Sequence, residues 1–536
     1  MDSKKDDQLV RLSELHPDDA PAGIDRRAFM MRSALVGAMG VISGCAPSPE
    51  KTAAAPPPTA PPVPAPAKEM SQDLDVVKKA KGPVMTTIDE FYKVGPGPSS
   101  SHTIGPMRIT YDFYQRATKL PADQLAQATA LKVFLFGSLS ATGKGHGTER
   151  ASLAGIVGKE PATVDPLFLD GLAANPDQIF KVKLGDKTID ASLKDVVYDA
   201  PKGNFPHPNT MTCKLMAGDK VLLEQEYYSV GGGFIEWKGY TPPKKGAPKY
   251  PYATMAELLK HAETAKISVA DVVMANEMAV SGKSEAEINA FVDKITTAMV
   301  NIVKSGLSMP ESVLPGPIKL KTKAGDVYKR ANEDRFEAQR GVGLVSAFAL
   351  AGSEENARGH LVVTAPTGGS AGVMPALVYA VSETSRKIPQ EKIRHGMLAA
   401  AGIGYLCKHN ATLSGAEGGC QAEIGVASAM GAAFLAQAND EPNQVIANAA
   451  ESSLQHHLGM TCDPVAGYVQ VPCIERCAFG AVKAWTGYLI ARNEIPANRR
   501  VDFDTTVSAM ALTAKEMNTK YKETSEGGLA VAVVLC

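Results

Sequence analysis

The sequence predicts two folded parts, an α+β domain followed by a mainly α-helical domain. Over residues 84–240, short apolar runs of strand length alternate with helical segments. From residue 253 to residue 536, apolar and small residues recur at helical spacing instead. The stretch 241–252 is rich in proline and lysine, as linkers are, so we place the domain boundary there.

Individual segments follow from the same patterns. In the first domain, alternating or continuous apolar runs predict strands, and one short segment predicts a helix: strands at 130–137, 179–184 and 221–229, helix at 124–129. In the second domain, six segments have helical spacing: 268–277, 284–304, 340–351, 373–384, 421–438 and 474–491. Their many alanines and glycines allow helices to approach closely, which predicts a compact bundle.

Net charge and one glycine-rich motif each argue against a class of protein. The chain has 536 residues, enough for roughly two to four structural units. Its net charge is −1, so we expect no nucleic-acid partner that depends on a general basic field. The run Gly137 to Gly145 is similar to a phosphate loop, but it has five residues between the glycines and a glycine where a hydroxyl residue is needed, which excludes a nucleoside triphosphatase.

The N-terminal segment predicts an export signal followed by a spacer. Residues 1–45 contain paired Arg26 and Arg27, a short apolar run and Cys45, which is the order of a twin-arginine lipoprotein signal. Cys45 would then carry a lipid anchor on an exported, periplasmic protein, and the Pro/Ala-rich residues 46–83 would serve as the spacer. The alternative is a disordered tail with a chance arginine pair; without processing, the protein would stay in the cytoplasm.

Eight cysteines are too few for a disulfide scaffold in a chain of this length. Cys420, Cys462 and Cys473 stand in loops or at predicted helix starts, where thiols tend to ionise to the form that binds metals. Cys407 lies in an apolar helical stretch and is predicted to be a core residue. Taken alone, the three loop cysteines are either metal ligands or ordinary buried thiols, and they lack the paired spacing of a zinc site.

A series of motifs resembles the iron–sulfur L-serine dehydratases, in their single-chain form with fused beta and alpha domains. The matching segments, in chain order, are 93–106, 143–148, 206–211, 365–372, 408–420, 461–465, 471–476 and 520–531. The resemblance implies a lyase of amino-acid catabolism that converts L-serine to pyruvate and ammonia. It implies a 4Fe–4S cluster, no pyridoxal phosphate, a small amino-acid substrate and a homodimer. It also implies that the first domain is similar to an allosteric substrate-binding domain.

The resemblance assigns metal ligands by position. Cys420, Cys462 and Cys473 correspond to the three cluster ligands. Cys536, the last residue, corresponds to a cysteine that occupies the fourth iron in some members, either as a plug displaced by substrate or as a permanent ligand. Cys477, one helical turn after Cys473, is a possible competing ligand.

The resemblance also assigns catalytic groups. Loss of the α-proton needs a general base, for which His146 is favoured, with His102 positioning substrate and His207 as a weaker candidate. The substrate carboxylate needs hydrogen-bond donors. Two runs supply them, one of hydroxyl residues and one at the start of a predicted helix: Ser99, Ser100, Ser101 and Thr103, and Thr367, Gly368, Gly369 and Ser370.

Two departures from the family leave the substrate open. Gly368 stands where the family often has asparagine, and Gly419 where it often has a larger apolar residue. If these glycines enlarge the pocket, L-threonine or L-cysteine is an alternative substrate. A non-catalytic exported cluster-binding sensor is the remaining alternative; it would need the cysteines but not the histidine loops.

Overall fold

The computed structural model describes residues 82–241, 244–384 and 387–533. The predicted signal at 1–45, with Cys45, lies outside the described residues, and so does Cys536. The fold class is as expected: an α+β part with a mixed sheet, followed by a mostly helical part.

Most strands belong to the first part of the chain. The strands are β1 (Lys93–Pro96), β2 (Ala130–Leu135), β3 (Phe180–Leu184), β4 (Lys187–Ala191), β5 (Val196–Tyr198), β6 (Thr210–Ala217), β7 (Lys220–Ser229), β8 (Ile235–Trp237) and β9 (Leu361–Thr364). Five of them form a sheet in the order β5-β2-β6-β7-β8, and β3 pairs with β4 in a separate hairpin. In the larger sheet β2 runs parallel to β5, and the other neighbours are antiparallel.

The helices of the first part are short. They are α1 (Ile88–Phe91), α2 (Gly105–Ala117), α3 (Ala122–Ala126), α4 (Ser138–Thr142), α5 (Thr148–Ile156) and α6 (Pro166–Ala174), with a π-helix at Ser100–Ile104. α2 and α5 pack together and share one hydrophobic core with the sheet.

Longer helices make up the second part. They are α7 (Met255–Ala265), α8 (Val269–Ser281), α9 (Glu285–Ser308), α10 (Ala324–Glu333), α11 (Glu337–Arg358), α12 (Val373–Ser382), α13 (Gln390–Asn410), α14 (Gly415–Gly418), α15 (Ile424–Ala438), α16 (Asn443–Gln455), α17 (Cys473–Asn493), α18 (Phe503–Glu516) and α19 (Leu529–Ala532). Among these, no helix is both long and apolar enough to cross a membrane.

The centre of the helical part is α15, which is buried along its whole length. Such a helix has apolar or small residues on every side, so it is enclosed by neighbours. Those neighbours are α12, α13, α16 and α17. Small residues permit this close packing. A Cβ added to Gly431 would lie 3.1 Å from the Cβ of Ala484 and would clash with the side chain of Leu377. The helix therefore holds the residues just before it, which include Cys420, in a fixed place.

The two parts of the chain are joined by strands as well as by packing. β1 pairs antiparallel with β9, which brings Lys93 opposite Thr364. The loops that follow these strands also touch, because a Cβ on Gly368 would lie only 2.7 Å from the amide nitrogen of Ser100. Helix α1, near the start of the described residues, contributes Ile88 and Phe91 to the hydrophobic core of the helical part.

The predicted elements agree with the structure in type and differ at their ends. The strands predicted at 130–137 and 221–229 correspond to β2 and β7, and the helix predicted at 421–438 begins at Ile424, after a 3₁₀ turn at Cys420–Ala422. The helix predicted at 124–129 is displaced, since α3 ends at Ala126 and the chain then leads into β2. Competition between local propensity and the sheet decides such ends.

The close packing of α9 on α11 gives a first testable expectation. A Cβ on Gly306 would clash with the backbone of Ala351, whose carbonyl carbon would be 2.7 Å away. We expect Gly306→Ala to lower the free energy of unfolding by about 1–3 kcal/mol, as overpacking does. The measurement is the thermal unfolding midpoint by circular dichroism.

Gly341→Ala in α11 is the matched control. Nothing lies within 4 Å of a Cβ at Gly341, so alanine there should raise stability by up to about 1 kcal/mol through helix propensity. Equal midpoints for the two variants would contradict the packing described.

Candidate metal centre and active site

Three predicted ligands line one buried cavity. Cys420 lies in the 3₁₀ turn before α15, Cys462 in the loop after α16, and Cys473 at the first position of α17. All three are at most 7% exposed. The possible ligand atoms of Cys420, Glu423 and Cys462 lie within 4.8 Å of one another. Cys473 is outside that closest group but lines the same cavity.

The turn that presents Cys420 depends on Gly419. Gly419 has a φ of +71°, a conformation that side chains rarely adopt. A Cβ there would lie 2.6 Å from the carbonyl oxygen of Met460. Gly419 is therefore explained by the turn, and Gly368 by its approach to Ser100. Among the described residues, neither glycine lines the cavity with the cysteines.

The charges around the thiols fit a metal cluster. A hydrogen bond with Cys420 and burial hold the pKa of Cys462 well above its usual range, and burial does the same for Cys473. These thiols resist ionising together because their negative charges would repel. Arg476 places a guanidinium nitrogen 3.4 Å from the Cys420 sulfur. Three soft sulfur ligands in one buried cavity are the donor set that iron–sulfur clusters use, and a bound cluster would offset the repulsion.

The other cysteines lie elsewhere. The Cys477 thiol donates to the carbonyl oxygen of Gly369 at 3.2 Å, and Cys477 does not line the cavity among the described residues. Cys407 is fully buried in the helical core, as predicted. Cys536 stays a prediction, since it is outside the described residues.

His146 is a buried histidine on the wall of the same cavity. Its Nδ1 lies 2.9 Å from the carbonyl oxygen of Thr142, so Nδ1 carries the proton and Nε2 keeps a free lone pair. Nε2 is buried without a hydrogen-bond partner, and His146 lines the cavity with the cysteines. Burial lowers the pKa of His146 to about 4, so the ring is neutral at neutral pH.

The loop that carries His146 packs closely against the turn that follows Cys462. Gly147 has a φ of +63°, and a Cβ on Gly145 would lie 2.6 Å from the carbonyl oxygen of Gly467. Gly467 belongs to the turn that follows Cys462. The glycines of this loop thus permit the contact that brings the histidine to the thiols.

His102 lies beside His146 with ring centroids 4.6 Å apart. Its Nδ1 is 2.9 Å from the Ser101 hydroxyl, and its Nε2 is 3.0 Å from the Ser138 hydroxyl. Ser138 in turn donates to the carbonyl oxygen of Glu523. Both ring nitrogens of His102 are therefore engaged in holding the ring in place.

His207 lies apart from this cavity. Its Nδ1 accepts from the backbone N–H of Asn209, and its Nε2 is 3.3 Å from Glu417. Neither His207 nor these partners line the cavity with the cysteines. The contacts are those of a histidine that holds a turn.

The predicted carboxylate-binding residues divide into two groups. Ser99 and Gly369 line the cavity. The others hold the site together: Ser101 contacts His102, Thr103 donates to the His146 carbonyl oxygen, the Thr367 and Ser370 hydroxyls are 3.1 Å apart, Ser100 is buried, and Gly368 packs on Ser100.

Sequence reasoning missed two carboxylates, Glu423 and Glu523, which both line the cavity. Glu523 is 5% exposed; its Oε1 is 3.4 Å from His102 Nδ1 and 3.8 Å from His146 Nε2, and its Oε2 has no hydrogen-bond partner. Burial raises the pKa of each carboxyl to about 8. Glu523 stands within the matched segment 520–531, but its residue type alone gave no reason to place it here.

Comparison with known proteins follows the two parts of the chain. Residues 87–240 match the family model of the serine dehydratase beta chain, and residues 264–530 match that of the serine dehydratase alpha chain. The chain is 37% identical over 462 residues to L-serine dehydratase 2 of Escherichia coli, covering 84% of this chain and 100% of the relative. It is 38% identical over 460 residues to the L-serine dehydratase of Haemophilus influenzae (84% and 100%) and 36% over 459 to that of Streptomyces coelicolor (84% and 99%).

These relatives correct one expectation. The prediction of an exported, periplasmic protein anchored through Cys45 is wrong, because the relatives are L-serine dehydratases, an enzyme class typical of the cytoplasm. They give no support to a signal or a lipoprotein. The physical reason for the error is that an arginine pair, a short apolar run and a cysteine are a weak pattern by themselves.

The cavity geometry predicts which thiols hold iron. We expect Cys420→Ala, Cys462→Ala and Cys473→Ala each to lose most of the iron and sulfide of anaerobically purified protein, because each removes one soft ligand. Cys407→Ala, which changes a thiol remote from the cavity, is the control and should retain both. Full iron content in any of the three cavity variants would contradict its assignment. The measurement is iron and sulfide per chain with the visible absorption spectrum.

Proposed function

The chain belongs to the iron–sulfur L-serine dehydratase family, and on that premise we propose that it deaminates L-serine to pyruvate and ammonia in the cavity shared by His146 and the three cysteines. The observation that carries the proposal is the unpartnered Nε2 of His146 on the wall of that cavity. A base and a ligand set for a Lewis acid then face one small volume.

The cysteines would hold the cofactor. Cys420, Cys462 and Cys473 fit a 4Fe–4S cluster with three protein ligands. When bound, a cluster with one iron free of protein ligands supplies a Lewis acid that stabilises the departing hydroxyl. Arg476 contributes a fixed positive charge beside Cys420, held by the Asp463 carboxylate at 2.9 Å.

His146 takes the α-proton of serine at Nε2. The carbonyl of Thr142 accepts from Nδ1–H and so holds the tautomer that leaves Nε2 basic. Its low pKa keeps the ring unprotonated before substrate arrives. His102, fixed through Ser101 and Ser138, is a positioning residue that limits rotation of the neighbouring ring and of Glu523.

Glu423 and Glu523 suit the charged amine of the substrate, because a bound ammonium group would favour the ionised form that burial alone disfavours. An amino acid is a zwitterion at neutral pH, and its ammonium group needs acceptors in a dry cavity. Glu523 Oε2 is a buried acceptor without a partner, and Glu423 lies on the same wall. We expect the hydroxyl of Ser99 and the backbone N–H of Gly369, near the start of α12, to donate hydrogen bonds to the substrate carboxylate.

The reaction then balances without an added co-reactant. The α-proton passes to His146, hydroxide leaves the β-carbon, and the two carbons form a double bond. The resulting enamine takes up a proton, and water replaces its nitrogen to give pyruvate and ammonium.

Two expectations stay predictions. The first is Cys536 as a plug. It is supported by the start of the C-terminal tail, where the backbone N–H of Leu529 donates to the carboxylate of Asp463 at 2.8 Å. Asp463 directly follows the predicted ligand Cys462, so the tail begins beside the cysteine cavity. The homodimer rests on the resemblance alone.

The proposal is tested by anaerobic assay of the full chain with L-serine, L-threonine and L-cysteine. We expect pyruvate from L-serine with the highest kcat/KM. We expect His146→Asn to retain iron and lower kcat by about 10²–10⁴-fold, the usual contribution of a general base. His207→Asn, a histidine outside the cavity, is the matched control and should stay within about threefold of the wild type.

The outcomes separate the alternatives. A higher kcat/KM for L-threonine or L-cysteine would replace the substrate but keep the reaction class. A loaded cluster with no turnover of any of the three would favour the sensor. Equal loss of activity in the two histidine variants would contradict His146 as the base.

The amine-binding role of Glu523 makes a separate expectation. Glu523→Gln removes a carboxyl group that the substrate ammonium would hold in its ionised form, so KM for L-serine should rise by about tenfold or more, the worth of one charge-assisted hydrogen bond, while iron is retained. Glu526→Gln, in the same segment but in an exposed pair with Lys202, should leave KM unchanged. A lower kcat with unchanged KM in Glu523→Gln would contradict amine binding.

A further inference from the structure

A second, larger cavity of about 780 Å³ lies away from the cysteines, between the β7–β8 loop and the C-terminal end of α13. Three cationic side chains on its wall come from different elements: Lys93 on β1, Arg108 on α2 and Lys408 on α13. We propose that this cavity is a binding site for a small oxyanion, a metabolite that carries carboxylate or phosphate groups. The inference does not depend on the reaction proposed above.

The three cations meet at the β7–β8 loop. The ammonium of Lys93 lies 3.4 Å from the centroid of the Phe234 ring, and that of Lys408 lies 4.0 Å from the same centroid. Arg108 donates to the carbonyl oxygen of Gly233, next to that ring, at 2.7 Å. The two ammonium groups are thus within about 7.4 Å of each other by geometry, since they share one ring centroid.

The contacts of these cations are with neutral groups. Lys93, which is 9% exposed, donates to the carbonyl oxygens of Glu90 and Gly232. Lys408 lies 3.2 Å from the Thr86 hydroxyl. Within residues 82–241, 244–384 and 387–533, none of the three cations has a carboxylate within ion-pair distance.

The carboxylates on the cavity wall have other partners or face solvent. Glu90 pairs with Lys245 at 2.5 Å. Glu417 is bonded to the Thr412 hydroxyl and lies 3.3 Å from His207. Glu236 is exposed on β8. Among the described residues these carboxylates form no ion pair with Lys93, Arg108 or Lys408, and Glu90 attracts the three cations only at longer range.

Buried like charges without a paired counter-charge are unfavourable, and this lowers the pKa values of the two lysines. Burial lowers the pKa of Lys93 well below its usual range, the charges of Arg108 and Lys408 lower it further, and the carboxylates of Glu90 and Asp89 offset this only in part. Burial also lowers the pKa of Lys408. A ligand with one or two negative charges would restore the ion pairs that the chain itself does not supply, and the volume is ample for a small metabolite.

The position of the cavity links it to both halves of the catalytic cavity. Lys93 lies on β1, which leads into the Ser99–His102 segment, and Lys408 lies in the last turn of α13, which leads through α14 to Cys420. A bound anion would connect these two elements. Occupancy should therefore stabilise the fold as well as bind.

The test is isothermal titration calorimetry of the full chain at low ionic strength, with inorganic phosphate and with malonate as separate probes. We expect saturable binding of at least one probe. Arg108→Gln and Lys408→Gln should each weaken it by about tenfold or more, because each removes a charge-assisted contact. Lys245→Gln is the matched control: its charge lies on the same wall but is already paired with Glu90, so binding should change by less than about twofold.

Each result of the calorimetry either supports or contradicts the proposed oxyanion site. Binding of phosphate alone assigns a phosphate ligand, and binding of malonate alone assigns a carboxylate. No binding of either probe by the wild type, or equal affinity in Arg108→Gln, Lys408→Gln and the wild type, would overturn the proposal. Thermal unfolding midpoints show whether each variant is folded, and Lys408→Arg, which keeps the charge, should restore binding that Lys408→Gln loses. Pyruvate formation is measured separately, so loss of this site and failure of the proposed reaction are distinguishable.

Discussion

The burial of α15 along its whole length is the constraint on which the site depends. A helix enclosed on every side by α12, α13, α16 and α17 has little freedom to shift, because protein interiors are packed as densely as organic crystals. The turn with Cys420 precedes this helix, and Cys473 begins α17, which packs on it. Two of the three thiols are thus located by the same core, and the positive φ of Gly419 sets the direction in which the first one points.

Electrostatics in the cavity follow from that enclosure. Thiols, two carboxyl groups and a neutral histidine line one buried cavity, and Arg476 is the described cation in contact with a ligand sulfur. Burial raises the pKa of the acids and lowers that of His146, since a charge is disfavoured in each case. Such a cavity favours positive partners, a metal cluster and an ammonium group among them. The same enclosure explains how one site can contain both a base and acids without a proton passing between them beforehand.

The sequence predicted the parts of the fold that local pattern controls. Helices such as α9 and α17 have clear helical spacing and were predicted within a few residues of their ends. Motif resemblance placed His146 and the three cysteines, which the structure brings to one cavity. The packing contacts of Gly368 and Gly419 were not foreseen, because a close approach to Ser100 or to Met460 is a tertiary contact with no local signal. The cation cluster at Lys93 was not foreseen for the same reason, since Lys408 lies more than 300 residues after Lys93 in the chain.

Glu523 shows most clearly why such a residue escapes prediction. It reaches the cavity because its backbone N–H donates to the Cys462 carbonyl oxygen at 2.8 Å, while the N–H of Cys462 donates to Tyr521 at 2.8 Å. The same segment accepts from Ser138, which holds His102, and a few residues later Leu529 is bonded to Asp463. One short stretch near the end of the chain therefore touches a ligand loop, a histidine and the root of the tail. The position of Glu523 therefore depends on contacts among residues that lie far apart in the sequence, which no local pattern of residue types indicates.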